Sequence, residues 1–262
     1  MSDVLDIGSG GRWRGQHLGL PSGIRACLFD LDGVLAQTSR VHAAAWKTTF
    51  DGFLRARSGR TGESFVPFDL NADYAEYVDG KPRREGVRSF LAARRIELPW
   101  GRADDPLDAA TISGLANRKN VLVLAQIREQ AVEADPSSIR YVQAVRSAGL
   151  TNAVVSASAN AAEVLEWAGI AHLFDERVDG VDAEKLHLKG KPAPDTFLAA
   201  ARALWVVPAE AAVFEDALAG VAAGRAGSFG FVVGVDRLGQ AQQLREHGAD
   251  IVVSDLAELL QP

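Results

Sequence analysis

An open, parallel, Rossmann-like α/β sheet with a helical cap domain inserted after its first strand is the fold class this sequence predicts. Three observations point to it. Short apolar runs occur without polar alternation, helical stretches lie between them, and one long strand-free segment sits near the N-terminus. Strands covered on both faces read as continuous apolar runs, and their alternation with helices implies right-handed crossovers in one layered sheet.

In chain order, the Gly-rich segment 1–23 lacks an apolar signal core and reads as a flexible extension. The first apolar run is Ile24–Phe29. From Thr38 to about Glu133 no convincing strand appears, but Ser39–Ala56, Arg84–Arg95 and Asp108–Glu133 carry helical patterns. The pieces Arg57–Glu63 and Leu98–Pro106 separate them. The sheet pattern resumes near Pro136, with helical stretches at Ser137–Ala148, Ala161–Ala168, Pro194–Leu204 and Ala217–Ala226. Further apolar runs are Ala153–Val155, Ala211–Phe214 and Phe229–Val235, with Ile251–Val253 as a fifth. The expected division is therefore a core of 24–37 and 135–262, and a cap of 38–134.

Composition narrows the function classes. With 262 residues, 47% hydrophobic and 24% charged, the chain suits a globular protein with one sizeable core and a smaller domain. A net charge of -6 gives no reason to expect nucleic acid, so an anionic ligand must be drawn by local positive groups. Cys27 is the only cysteine, which excludes an internal disulfide and a cysteine-cluster metal site. It lies inside an apolar run, as a small buried hydrophobe would. No apolar stretch is long enough for a bilayer. A monomer in the cytoplasm is the default expectation.

The chemistry gathers at the ends of the strands, where open α/β sheets bind ligands. The first run ends in Asp30-Leu31-Asp32-Gly33. Two like charges so close raise each other's pKa unless a cation or proton is shared, and a hard cation with oxygen ligands such as Mg2+ relieves that cost. The plain alternative is an Asp-Gly turn closing a strand. Other runs end in Ser156-Ala157-Ser158, before a helix start at Asn160, and in Glu215-Asp216; the loop 190–195 carries Lys191. Strand-end carboxylates can hold one Mg2+, while a hydroxyl and helix-start N–H groups bind phosphate oxygens. Lys191 adds a positive charge able to neutralise both Asp30 and a phosphoryl group. Together these residues form a site for phosphoryl transfer.

These motifs, in this order, resemble the haloacid dehalogenase superfamily over roughly Arg25 to the C-terminus. The resemblance implies that Asp30 is the nucleophile that becomes an aspartyl-phosphate. It makes Asp32 the acid/base and a Mg2+ ligand through its backbone carbonyl. It places Ser156, Ala157 and Lys191 at phosphate, and Glu215 and Asp216 at the metal. The helical insert then matches a cap of the family's first cap class.

The cap carries the clues to substrate. Thr38, His42 and Trp46 are four apart, so they share one helix face that starts beside Asp32. Packing within the cap is the ordinary explanation for a histidine and a tryptophan there. In Val78–Gly86, Gly80 and Pro82 mark a loop, and Arg83 or Arg84 stands near a helix N-terminus, a conflict with the helix dipole that an anion would resolve. With Arg118-Lys119-Asn120 and Ser156-Ala157-Ser158-x-Asn160, these pieces resemble the β-phosphoglucomutase branch. That resemblance implies that Arg83, Ser158 and Asn160 hold a second phosphate. It also implies that Lys119 lines the cap side, that His42 couples cap closure to Asp32, and that Thr38, Trp46 and Gly80 contact substrate. Two departures stand out: Ala159 and Gln37 replace a common Lys and Asp.

The expected activity is a Mg2+-dependent interconversion of β-D-glucose 1-phosphate and D-glucose 6-phosphate, with a small phosphorylated sugar as the only partner. A phosphatase acting on small hexose phosphates or a trehalose phosphate is the alternative. A non-catalytic binding module would be expected to lose Asp30 or the metal acids, and all are present.

Overall fold

The structure, a computed structural model, describes residues 18–130 and 132–260. Its centre is a six-stranded, all-parallel sheet in the order β3-β2-β1-β4-β5-β6. The strands are β1 (Ala26–Phe29), β2 (Thr151–Val155), β3 (Glu176–Val178), β4 (Ala211–Glu215), β5 (Phe231–Val235) and β6 (Ile251–Val253). β1 lies between β2 and β4, with Phe29 opposite Val154 on one side and Phe214 on the other. That register brings the ends of three strands, and the residues just beyond them, to one edge of the sheet.

The period-two alternation of β1 divides the core. Cys27 and Phe29 face a layer with Tyr141, Val142 and Val145 of α4 (Pro136–Ser147) and Val164 and Leu165 of α5 (Ala161–Trp167). Ala26 and Leu28 face the opposite layer, with Phe197 and Ala200 of α7 (Asp195–Ala203), Val221 of α8 (Leu218–Ala226) and Leu244 of α9 (Ala241–Glu246). Phe29 stacks on Phe214 at 4.5 Å between ring centroids and meets Tyr141 edge-on at 6.3 Å, beneath the strand ends. Cys27 is fully buried, and burial pushes its thiol pKa up, as expected of a structural cysteine.

The insert is helical and has its own core. It contains α1 (Ser39–Thr61), a π-helical segment (Tyr74–Val78), α2 (Arg83–Ala93) and α3 (Ile112–Gln130). Trp46, Phe50, Phe68, Phe90 and Leu115 form its centre, with Trp46 stacked on Phe50 at 5.1 Å. Two linkers join it to the sheet. Leu35 O accepts from Asp135 N at 2.9 Å, and Gln37 N donates to Glu133 O at 3.2 Å, so the linkers run side by side.

Among the strands and α-helices, three short ones depart from the expected pattern: β3, α6 (Gly180–Lys185) and α9. β3 has only Val178 buried, because Glu176 and Arg177 point to solvent at the sheet edge. No apolar run marks such a strand. α6 buries no residue, so it has no stripe to read; an Asp179 capping box starts it. The segment expected to be a flexible extension falls in two parts. Residues 1–17 lie outside the described residues, whereas Leu18 and Leu20 are buried and Leu18 O accepts from the Tyr141 hydroxyl at 2.8 Å. Among the described residues no helix is long and apolar enough to cross a membrane.

Candidate active site

Asp30 follows β1 directly, and its backbone N–H donates to Phe214 O at 2.9 Å, so the sheet's own ladder sets its position. Lys191 reaches it from the β3–β4 connection. The buried ammonium donates to Asp30 Oδ1 at 2.5 Å and to Val155 O at 3.1 Å, and it contacts the Glu215 carboxylate. Burial alone would lower the Lys191 pKa, but the two carboxylates outweigh it and hold the group above its ordinary value. Lys191 therefore stays charged.

Asp30, Glu215 and Asp216 are all buried and place ligand oxygens within 4.8 Å of one another. Burial, then mutual repulsion, pushes Asp216 well above the usual carboxylate range; Asp30 moves the same way, with Lys191 opposing. One ammonium does not balance three acids, and a divalent cation with oxygen ligands fits this set. Glu215 stands behind the other two. Its carboxylate fills the space a Cβ on Gly220 would need, and Oε2 accepts from Ala217 N at 3.1 Å. Gly33 adopts a φ of 85° that favours glycine, and a Cβ there would collide with the Asp216 carboxylate.

Asp32 sits one turn on, under the first cap helix. The Thr38 hydroxyl donates to Asp32 Oδ1, and His42 Nε2 lies 3.5 Å from the same oxygen. Lys119 Nζ on α3 is 3.1 Å from His42 Nδ1 and 4.9 Å from the centre of the Trp46 ring. Burial, then the Lys119 charge, lowers the His42 pKa to about 4, with Asp32 opposing. The ring is neutral at pH 7, accepts at Nδ1 from Lys119 and turns its Nε2–H toward Asp32.

Burial likewise lowers Lys119 to about 8, against the pull of Asp32. In the free protein Lys119 should therefore titrate near pH 8, and the pH dependence of its reductive methylation should show that midpoint. A midpoint at the ordinary lysine value would contradict this environment. Between about 8 and 10.5 the unfolded chain binds more protons here than the folded one. The group's contribution to stability is thus greatest above 10.5 and falls as pH drops to about 8.

The cap loop closes the cleft from the other side. α2 begins at Arg83 after Pro82. Arg84 turns outward and pairs with Glu184 of α6 at 2.9 Å, whereas Arg83 lines the cleft. The Arg83 Nε is buried without a hydrogen-bond partner, and burial lowers its pKa. A half-buried guanidinium with an unpartnered nitrogen at a helix start can take an anion. Gly80 packs against the acidic loop, where a Cβ would meet Ala217 Cβ at 2.8 Å, and a Cβ on Gly190 would collide with Pro82.

A sequence model of the haloacid dehalogenase-like hydrolases matches residues 24–227. The chain belongs to this family. A β-phosphoglucomutase of Mycobacterium bovis is 57% identical over 250 residues, covering 94% of this chain and 95% of that one. The β-phosphoglucomutase of Bacillus subtilis is 31% identical over 239 residues, covering 90% and 92%. The crystal structure of a Clostridium difficile β-phosphoglucomutase superposes with a TM-score of 0.69 at 27% identity, over 90% of this chain and 93% of that one. Within the haloacid dehalogenase family, the chain falls in the β-phosphoglucomutase-like branch.

Against this background, the expected site residues divide cleanly. One cleft is lined by Asp30, Asp32, His42, Trp46, Gly80, Arg83, Lys119, Ala157, Ser158 and Asp216. Five others adjoin the cleft without lining it. Lys191 and Glu215 support the acids, and the buried Ser156 Oγ accepts from Ser158 N at 3.1 Å. Thr38, expected to touch substrate, instead spends its hydroxyl on Asp32. Asn160 donates from Nδ2 to Asn120 Oδ1 at 2.8 Å, linking core to cap.

Tyr74, Val78, Asp79, Lys81 and Asn120 complete the lining; Asn120 lay in a motif noted in the sequence, but none of the five was given a role there. Asp79 is buried beside the Tyr74 hydroxyl, and burial raises its pKa to about 7. Its neighbours Gly80 and Arg83 were the only signal pointing to it.

Proposed function

We propose that this chain is a Mg2+-dependent β-phosphoglucomutase, interconverting β-D-glucose 1-phosphate and D-glucose 6-phosphate through phosphorylated Asp30. It is built as a core, 24–37 and 135–262, with a movable cap, 38–134. The 57% identity over nearly the whole of both chains supports the activity. The observation in the site that carries it is Arg83, a half-buried cation on the cap wall whose buried Nε has no hydrogen-bond partner, facing a core wall that holds the nucleophile. A mutase must grip two phosphates at once, and this site has a separate positive group for each.

Asp30, Asp216 and Glu215, with the Asp32 backbone carbonyl, would hold Mg2+, which would supply charge to the phosphoryl oxygens and offset repulsion among the acids. An Asp30 oxygen attacks phosphorus while Lys191 favours the ionised form of that carboxylate and aims it. The Ser156 hydroxyl and the Ala157 backbone N–H receive the transferred group. Asp32 gives a proton to the departing sugar oxygen and, in the return half, takes one from the attacking hydroxyl. Thr38 and His42 hold Asp32 in place for both halves. Arg83, Ser158 and Asn160 bind the non-reacting phosphate, with Lys119 on the cap side. The bisphosphorylated sugar formed when the hydroxyl takes the phosphoryl group reorients before Asp30 attacks its other phosphate, and closure of the cap excludes water.

Arg83→Ala is the test. Losing a charge-assisted contact to the distal phosphate should lower mutase turnover about 100-fold. Hydrolysis of acetyl phosphate, which has no second phosphate, should change only a few-fold. Parallel assays of the two activities check this, and full mutase turnover in the variant would contradict the two-phosphate reading.

A further inference from the structure

The loop between β5 and α9 takes no part in the chemistry above, yet it holds three pieces of the site. Arg237 is its central residue. Its Nε donates to Gly33 O at 2.7 Å, the carbonyl directly after Asp32. One terminal nitrogen donates to Asp135 Oδ2 at 3.2 Å, on the second linker of the cap, and the other to Ser254 O at 3.2 Å, just beyond β6. From the same loop, the buried Gln240 side chain donates to the Asp216 backbone carbonyl at 3.1 Å. The loop is itself braced, since Asp236 Oδ1 accepts from Leu238 N at 3.2 Å and Gln240 N at 2.8 Å.

The two linkers meet where Arg237 holds them. Asp135 N donates to Leu35 O, and the Asp135 side chain also accepts from Ser137 N and Ser138 N at the start of α4. Gly33 in turn is wedged against the Asp216 carboxylate and the Ser39 hydroxyl at the foot of α1. A guanidinium presents a rigid planar fork, so its three contacts fix these segments relative to one another in a way a single lysine ammonium would not.

We infer that Arg237 is a positioning residue. It clamps the core end of both cap linkers to the backbone that carries Asp32, so that cap orientation and acid/base geometry are set together. Its loss leaves all the reacting groups present but misplaced, and a small misplacement of such groups costs rate rather than binding. The loosened hinge also admits water to phosphorylated Asp30. This inference rests on the proposed mutase reaction for its partition readout, but not for its hinge readout.

The test compares Arg237→Met and Arg237→Lys with the parent chain. In Arg237→Met, kcat for the sugar reaction should fall roughly 10- to 100-fold with KM within a few-fold. The ratio of phosphate release to sugar transfer should rise, and Arg237→Lys should recover part of both. Amide exchange should quicken at Gln37 and Asp135 while the β4 and β5 amides stay protected. Asp135→Asn keeps an oxygen to cap α4 but removes the ion pair, and it should show the same pattern more weakly even if Arg237→Met folds poorly. Unchanged kcat and linker exchange would overturn the proposal. So would activity lost together with a uniform rise in exchange across the sheet, which would mark a merely structural role. If the parent chain made no glucose 6-phosphate, the mutase reading would fail, and the linker exchange with acetyl phosphate turnover would still decide the clamp.

Discussion

Asp30→Asn is expected to lower phosphoryl transfer by on the order of 10⁴-fold or more, the scale seen when a nucleophile is removed from a site that otherwise remains intact. Asn has nearly the same shape as Asp, so the sheet and the cleft should persist. Lys191 loses one partner but keeps Glu215, and the crowd of acids around Asp216 loses a charge. Thermal stability should therefore change little compared with activity. Steady-state turnover of β-glucose 1-phosphate, together with the failure to trap a phosphorylated enzyme, checks this. Turnover within tenfold of the parent would mean that Asp30 is not the phosphoryl acceptor.

Lys191→Met should be nearly as damaging and should reveal itself in stability as well. The ammonium is almost fully buried between Asp30 and Glu215, and removing one member of a buried ion pair costs about 3–5 kcal/mol because it strands the other. At this chain length that corresponds to a fall in Tm of about 10 °C. The sign of the pH dependence is set by the stranded acids. Without Lys191, the pKa of Asp30 in the folded state rises further above its unfolded value. The folded variant then binds more protons than the unfolded chain, so its deficit should deepen as pH rises and shrink as pH falls. Melting curves across pH 5 to 8 measure this, and a pH-independent deficit would contradict the pairing.

The strand-end chemistry was legible because buried strands and their polar termini are written in consecutive residues. Phe29-Asp30, Val155-Ser156 and Phe214-Glu215 each put the last apolar residue beside the first reacting or supporting one. Longer cap helices were also legible, although Ser39–Thr61 runs past the expected Ala56 through most of the polar piece Arg57–Glu63, and Ile112–Gln130 starts after the expected Asp108. What the sequence concealed depends on contacts across distance. Thr38 and His42 were seen to share a face, but only the fold shows Thr38 bonded to Asp32 and His42 held between Asp32 and Lys119.

Nothing local separates Arg83 from Arg84; one enters the cleft and the other pairs with Glu184, a difference fixed by the turn of α2 against the core. Tyr74 and Asp79 were hidden for a similar reason. They belong to a π-helical segment and its exit, whose irregular period leaves no stripe in the sequence. Glu215 appeared equivalent to Asp216 by position, yet the two point differently: Asp216 lines the cleft, and Glu215 tucks beneath Gly220 against Lys191.

The central claim is that a sugar hydroxyl, rather than water, takes the phosphoryl group from Asp30. The most direct measurement follows glucose 6-phosphate and free phosphate together, starting from β-glucose 1-phosphate with Mg2+ and a catalytic amount of glucose 1,6-bisphosphate. The account predicts rapid glucose 6-phosphate formation from the β anomer, little from the α anomer, and only slow phosphate release. Free phosphate as the main product, without glucose 6-phosphate, would contradict it.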